Sequence, residues 1–213
     1  MEVKRERVAI FIDGSNFYHG LKDYIGNTRI DFIKFAELLC GGRELIRTYY
    51  YNVPVNQKHF PETYQDQQRF FDSLKTLPYF ELKLGRLEKR VVKINQEELI
   101  KTFGDKIAKT IIEKWGEAIV TFVEKGIDIN LASDMLRLAY NNAYDTAILV
   151  TGDADFVAAV EGVKDMGKHV ENVHFRDAKG FHIRRACDKF IPLDKNCLAP
   201  CLRKVNSLSR SSG

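Results

Sequence analysis

Apolar and polar residues along the 213-residue chain follow two rhythms. Short unbroken apolar runs mark buried parallel strands. Apolar residues three and four apart mark amphipathic helices. Arg7–Ile12 is the first apolar run, and turn chemistry follows in Asp13-Gly14-Ser15-Asn16. Phe17 to Tyr24 predicts a helix with Ser15 or Asn16 as its cap. A second helix is predicted from Asp31 to Cys40, stopped by Gly41-Gly42, and Leu45 to Asn52 is a strand that ends before Pro54. Residues 61–77 predict a helix with Tyr64, Phe71 and Leu74 at helical spacing and Pro61 in its first turn. Phe80 to Leu87 predicts a strand that residues 88–94 continue as a ribbon or hairpin. From Asn95 to Val123 the pattern is mixed, helical over Glu97–Phe103 and Lys106–Trp115 and β-like in AIVTFVE. Then come a helix from Leu131 to Tyr140, an apolar strand Thr146–Thr151, a helix from Phe156 to Met166 and a strand from His169 to Phe175.

Strands alternating with helices imply βαβ units, hence an α/β fold with three layers (α/β/α) and a mainly parallel sheet. The TAILVT strand is expected beside Arg7–Ile12. The length suits one large domain, or one domain with an appended segment. No apolar run reaches the ~18 residues that would span a bilayer. The N-terminal apolar stretch is short and broken by Asp13, so it reads as a strand rather than a signal peptide. A soluble, cytoplasmic protein is the expectation. Cys40, Cys187, Cys197 and Cys201 match no paired zinc spacing and read as reduced thiols; a metal held by Cys187, Cys197 and Cys201 is the minor alternative.

The net charge of +4 says little, but its distribution says more. Residues 127–166 carry seven acids and two bases, whereas residues 176–210 carry nine bases and three acids. An acidic centre with basic flanks suits a metal site approached by a polyanion.

In an open parallel sheet, ligands bind beyond the carboxyl ends of the strands. Asp13 directly follows the first apolar strand; Asp153 and Asp155 follow TAILVT. Asp134 lies near the expected start of the helix leading into TAILVT, and Asp128 lies just before that helix. Each acid alone has an ordinary explanation as a turn residue, cap or surface group. Two strand ends and one helix start delivering carboxylates to one edge make a joint coincidence harder to accept. Such a cluster tolerates itself only with a divalent cation or with some acids protonated. Mg²⁺ and Mn²⁺ favour oxygen ligands and keep several waters; an ion of this kind lowers the pKa of a water and polarises a phosphoryl oxygen.

Three blocks carry a family resemblance: Ile12-Asp13-Gly14-Ser15-Asn16; Lys125-Gly126-Ile127-Asp128 with Asp134; and Thr151-Gly152-Asp153-Ala154-Asp155-Phe156. In order and spacing they resemble the signature of the NYN domain, the LabA-like branch of the PIN-like nucleases, over roughly residues 7–175. The resemblance implies a Rossmann-like sheet, an acidic pocket binding Mg²⁺ (or Mn²⁺), and ribonuclease activity on single-stranded or structured RNA. Carried over by position, Asp13, Asp134 and Asp153 would be the metal set, Asp128 and Asp155 the accompanying catalytic acids, and Asn16 a residue that positions a ligand. Thr151 departs from the Ser usual before Gly-Asp. The domain would fill residues 1–192 with an extended segment near 87–123, followed by a basic, Ser-rich tail over 193–213, disordered from Val205.

The expected partner is RNA. Arg86, Arg90, Lys125, Arg184 and Arg185 are the candidates for neutralising its phosphates. No membrane partner is expected, and homodimerisation is open. Tyr49, Tyr50 and Tyr51 are open to two readings, all core or an exposed tyrosine that stacks on a base. His59 and His182 are read as surface residues. The leading function is a metal-dependent endoribonuclease. The alternatives are a non-catalytic RNA-binding or regulatory module on the same fold, and a phosphotransferase, for which no dedicated phosphate-binding set is evident.

Overall fold

The computed structural model describes residues 5–116 and 118–203. In chain order the elements are β1 (Arg7–Asp13), α1 (Gly14–Gly20) running into a π-helical turn over Leu21–Ile25, α2 (Phe32–Cys40), β2 (Glu44–Asn52), α3 (Pro61–Lys75), β3 (Phe80–Leu84), β4 (Arg86–Lys93), α4 (Gln96–Phe103), α5 (Asp105–Trp115), β5 (Ala118–Lys125), α6 (Ile127–Tyr140) and β6 (Thr146–Val150). A 3₁₀ turn (Ala154–Phe156), α7 (Val157–Asp165), β7 (His169–Phe175), α8 (Phe181–Ala186), β8 (Lys189–Leu193), α9 (Lys195–Leu198) and a closing 3₁₀ turn (Ala199–Cys201) complete the described chain.

Six strands form one sheet in the order β3-β2-β1-β6-β7-β8, every neighbouring pair parallel. The β6 strand lies directly beside β1, Ile10 opposite Ile148, as the apolar runs required. The chain builds outward from β1 to β3, then returns and builds outward from β6 to β8. The reversal falls between β1 and β6, and at such a switch point the flanking loops diverge and leave a crevice. One face of the sheet is covered by α1, α2 and α9, with Val8, Ile10, Ile12, Phe17, Phe35 and Leu198 in the core. The other is covered by α6, α7 and α8, with Phe11, Leu131, Met135, Val160 and Ile183. This is the expected three-layer α/β/α domain.

Several local expectations shift. All three tyrosines of β2 are buried, because an interior parallel strand is covered on both faces. Tyr50 packs among Phe32, Phe70 and Phe80, and Tyr49 stacks on Phe11 at 5.3 Å. The strand expected over Phe80–Leu87 breaks at Gly85; beyond it, β4 pairs antiparallel with β5 as a separate two-stranded ribbon carrying α4 and α5 between its strands. The α6 helix starts at Ile127, one turn earlier than its apolar pattern indicated. β8 has no counterpart in the sequence reading: it is a five-residue edge strand with Pro192, which only an edge position tolerates. The segment after Leu193 stays on the domain, with Leu198 and Cys201 buried and Leu202 bridging Ile30. The Ser-rich stretch from Val205 lies outside the described residues. All four cysteines are free. Among the described residues no helix is long and apolar enough to cross a membrane.

Candidate active site

The crevice between the ends of β1 and β6 is occupied by a hydrogen-bonded loop pair. Asp13, the last residue of β1, is 7% exposed. Its Oδ1 accepts from the Asn16 backbone N–H at 3.1 Å, so Asp13 itself, rather than Ser15 or Asn16, caps α1. Its Oδ2 accepts from the Thr151 hydroxyl at 3.1 Å. The same hydroxyl oxygen accepts the Asp153 backbone N–H at 3.2 Å, and the Asp153 carboxylate accepts the Asp155 N–H at 2.9 Å to cap the 3₁₀ turn. The Asn16 side-chain oxygen accepts from Gly152 N–H at 3.1 Å. Asn16 therefore uses its side-chain oxygen to tie the β1 loop to the β6 loop.

The β6 loop is braced from β7. Asn172, fully buried, donates from Nδ2 to the carbonyls of Leu149 (3.3 Å) and Thr151 (2.9 Å). The His174 ring lies against Gly152 so closely that any Cβ there would overlap it. Glycine is thus demanded by contact, not by turn geometry alone.

The electrostatics are one-sided. Burial pushes the Asp13 carboxyl up to about 6, against the pull of its two hydrogen bonds, and the charges of Asp128 and Asp153 push it further. Asp128 sits in the first turn of α6. Much of it is exposed, yet partial desolvation and then Asp153 and Asp155 raise its pKa. Glu124, near the end of β5, is raised by desolvation and then by Asp128, with His19 opposing. Asp13, Asp128, Asp153 and Asp155 thus share one field, which Glu124 borders, and neither Asp13 nor Asp128 makes an ion pair among the described residues.

Asp134 does not belong to this group. It accepts from the Tyr51 hydroxyl at 3.0 Å and from Arg137 at 2.7 Å, with Lys83 at 3.9 Å. The reason is the early start of α6: Asp128 occupies the first turn, and Asp134 lies six residues on, about 9 Å along the axis. The expected metal set of Asp13, Asp134 and Asp153 is therefore not brought together. Among the described residues, no three His, Cys, Asp or Glu side chains gather closely enough to hold an ion between them.

The basic candidates divide as well. Arg86 pairs with Lys125 at the root of the ribbon, three residues from Asp128. Arg90 lies farther out, opposite Thr121 and about 13 Å along the strand. None of the three makes an ion pair among the described residues. Arg184 is engaged by the fold: its Nη2 donates to the carbonyls of Phe175 (3.0 Å), Arg176 (3.4 Å) and Ala178 (3.0 Å), and its guanidinium stacks 4.1 Å from the Phe190 ring centroid. Arg185 is exposed, as are His59 and His182. Asn172, His174 and Glu124 have no place among the candidates, and Thr151, though part of the third block, was not assigned its bond to Asp13. Glu124 adjoins the second block and was legible as a neighbour. Asn172 and His174 sit on a third strand, and nothing local marks them.

The NYN domain profile matches residues 7–194. Over 199 residues the chain is 25% identical to the low amplitude and bright protein LabA of Synechococcus elongatus, covering 91% of this chain and 87% of that protein. Its fold is similar to the crystal structure of VPA0982, a protein of unknown function from Vibrio parahaemolyticus, with a TM-score of 0.61 at 19% identity over 92% and 98% of the two chains. That last likeness concerns the fold alone.

Proposed function

The chain belongs to the NYN domain family, and from that premise we propose that it is a metal-dependent ribonuclease hydrolysing RNA phosphodiester bonds at the β1–β6 crevice. The observation that carries this reading is the buried Asp13 carboxyl, held by neutral donors under the field of Asp128 and Asp153 and making no ion pair among the described residues. An all-oxygen donor set with uncompensated charge fits a hard divalent cation. Mg²⁺ and Mn²⁺ are such ions, binding through one or two carboxylates and keeping their remaining waters. Such an ion, when bound, supplies Lewis-acid polarisation of a phosphoryl oxygen and a water of lowered pKa.

The chain's own residues do the rest. Asp13 and Asp153 offer the anchoring oxygens; Asp128 and Asp155 add charge from the rim. Thr151 and Asn16 keep the two loops in register. Arg86 and Lys125 draw the phosphate backbone towards the ribbon root, and Arg185 does so from the other side. One observation favours a second reading, a non-catalytic RNA-binding module: the carboxylates are not drawn into a common ligating position.

Incubating the purified chain with end-labelled single-stranded RNA in Mg²⁺, Mn²⁺ or EDTA separates the two. The enzyme reading expects cutting in either metal, none in EDTA, and a loss of about 10²–10³ in rate for Asp153→Asn with RNA binding retained. Binding without cutting by the wild-type chain, across several RNAs and both metals, would hand the site to the binding module. Cutting that persists in both Asp13→Asn and Asp153→Asn would refute the carboxylate assignment.

A further inference from the structure

The rim of the crevice on the β7 side carries an aromatic–cation pair that the fold does not use. α8 follows β7 through residues 176–180, and its start is pressed against the loop that bears Asp153. A Cβ on Gly180 would stand 3.3 Å from the His174 ring and 3.5 Å from the Gly152 carbonyl oxygen. α8 also neighbours the 3₁₀ turn Ala154–Phe156, which contains Asp155. Inward, Ile183 is buried and Arg184 pins the preceding loop by its three carbonyls. Outward, Phe181 is 63% exposed. The Arg185 guanidinium lies 5.4 Å from its ring centroid, and Arg185 makes no ion pair among the described residues.

A single exposed phenylalanine is unremarkable on most surfaces. This one differs in its position and its partner. It stands on the helix beside the turn that contains Asp155 and carries a cation with no ion pair among the described residues, and Arg184 holds its helix to the loop end of β7. The β7 strand is two strand spacings from β1, about 10 Å from the end that carries Asp13. Nucleic-acid surfaces that grip unpaired strands combine these two elements: an aromatic face for a base and a guanidinium for its phosphate.

We propose that Phe181 and Arg185 form a stacking subsite for an unpaired nucleobase flanking the phosphate held at the crevice. The inference rests on the ribonuclease reading of the same site. A base inside a duplex has both faces occupied and cannot enter such a subsite. The Phe181 ring recognises any base through its π face, and Arg185 holds the neighbouring backbone. The ribbon root, with Arg86 and Lys125, takes the strand on the opposite side.

The test uses the full chain and fluorescently labelled RNA oligonucleotides, with binding read by anisotropy in EDTA and cutting read separately in Mg²⁺. Phe181→Ala should weaken single-strand binding by about tenfold, the loss of one stacked base. Phe181→Trp should retain affinity, whereas Phe181→Leu, apolar but without a π face, should fall with the alanine variant. Moving one abasic position along the oligonucleotide should reveal a single site where wild type loses about tenfold and Phe181→Ala loses nothing further, the signature of direct coupling. Duplex RNA should bind more weakly and ignore the substitution. Equal binding by wild type and Phe181→Ala, or by the leucine variant and wild type, would overturn the subsite. So would duplex RNA bound as tightly as single strand. If wild type cuts RNA but Phe181→Ala binds and cuts unchanged, the subsite falls and the ribonuclease reading stands. If wild type shows the coupled abasic position but never cuts, the reverse holds; if it neither binds nor cuts, both fall.

Discussion

Replacing Asp13 with Asn should make the metal-free protein more stable at neutral pH, the opposite of what loss of a buried, doubly hydrogen-bonded side chain usually does. The amide keeps an oxygen to accept the Asn16 N–H and gains a nitrogen that can donate to Thr151, so the local geometry survives. What it removes is charge. The Asp13 carboxyl titrates at about 6 in the fold against 3.8 ordinarily, chiefly because it is buried, with Asp128 and Asp153 adding to the effect. A carboxyl whose folded pKa is raised ionises more readily in the unfolded chain. The cost to the fold is therefore absent below about 4, grows between 4 and 6, and is complete above 6. The gap corresponds to about 3 kcal/mol, and at about 2–4 °C per kcal/mol for a domain of this size that is roughly 6–12 °C in Tm. Thermal unfolding of wild type and Asp13→Asn in EDTA, from pH 4 to pH 8, reads it directly. The curves should meet near pH 4 and separate by pH 7, the variant above. Millimolar Mg²⁺ should then raise the wild-type Tm and leave the variant nearly unmoved, because a ligand stabilises only the state that binds it. A Tm difference that does not change with pH would refute the claim that Asp13 carries an unbalanced charge.

Three further outcomes follow from the same geometry. Asp134→Asn should lower stability only slightly through loss of its ion pairs with the exposed Arg137 and with Lys83, while RNA cutting per folded molecule stays within a few-fold of wild type; a hundredfold loss of rate with an unchanged melting curve would return Asp134 to the site. Gly152→Ala should cost about 1–3 kcal/mol by overlap with the His174 ring, and His174→Ser should recover much of it in a double-mutant cycle read by urea unfolding. Lys125→Ala should flatten the log–log salt dependence of single-stranded RNA binding by about 0.7, whereas Arg184→Ala should lower stability without the slope change, since its guanidinium is committed to three carbonyls.

How much of this was legible in the chain depends on whether the signal was local. The apolar runs of β1 and β6 announce buried parallel strands, and turn residues directly after them put Asp13 and Asp153 at one sheet edge. β8 escaped because KFIPL is short, charged at its start and interrupted by a proline that reads as a strand breaker unless the edge position is already known. The misplacement of Asp134 has a similar origin. The α6 pattern becomes strongly apolar only from Leu131, so the helix seemed to begin there; its true first turn, Ile127–Asn130, has three residues exposed and one buried. One turn of error moved the helix start by about 5 Å and exchanged the roles of Asp128 and Asp134. The bracing from Asn172 and His174 on β7 is a contact between strands far apart in sequence, and no periodicity encodes it.

The two acids also show why proximity of charges in sequence is a weaker guide than the kind of donor that holds them. Asp13 and Asp153 are fixed by neutral groups: backbone N–H of Asn16 and of Asp155, and the Thr151 hydroxyl. Neutral donors set the direction of a carboxylate and leave its charge intact, so the field at the crevice stays negative and available to a cation. Asp134 is fixed by Arg137 and approached by Lys83, which orient it and cancel it together. Both arrangements satisfy a partly buried carboxylate, but only the first leaves work for a metal ion. The Tyr51 hydroxyl links the two regions of the domain without blurring them: Tyr51 stands opposite Asp13 in the β1–β2 ladder, yet its hydrogen bond goes to Asp134. Asp134 is thus a neutralised acid that anchors α6 to β2, while Asp13 and Asp153 keep carboxylates that make no ion pair among the described residues.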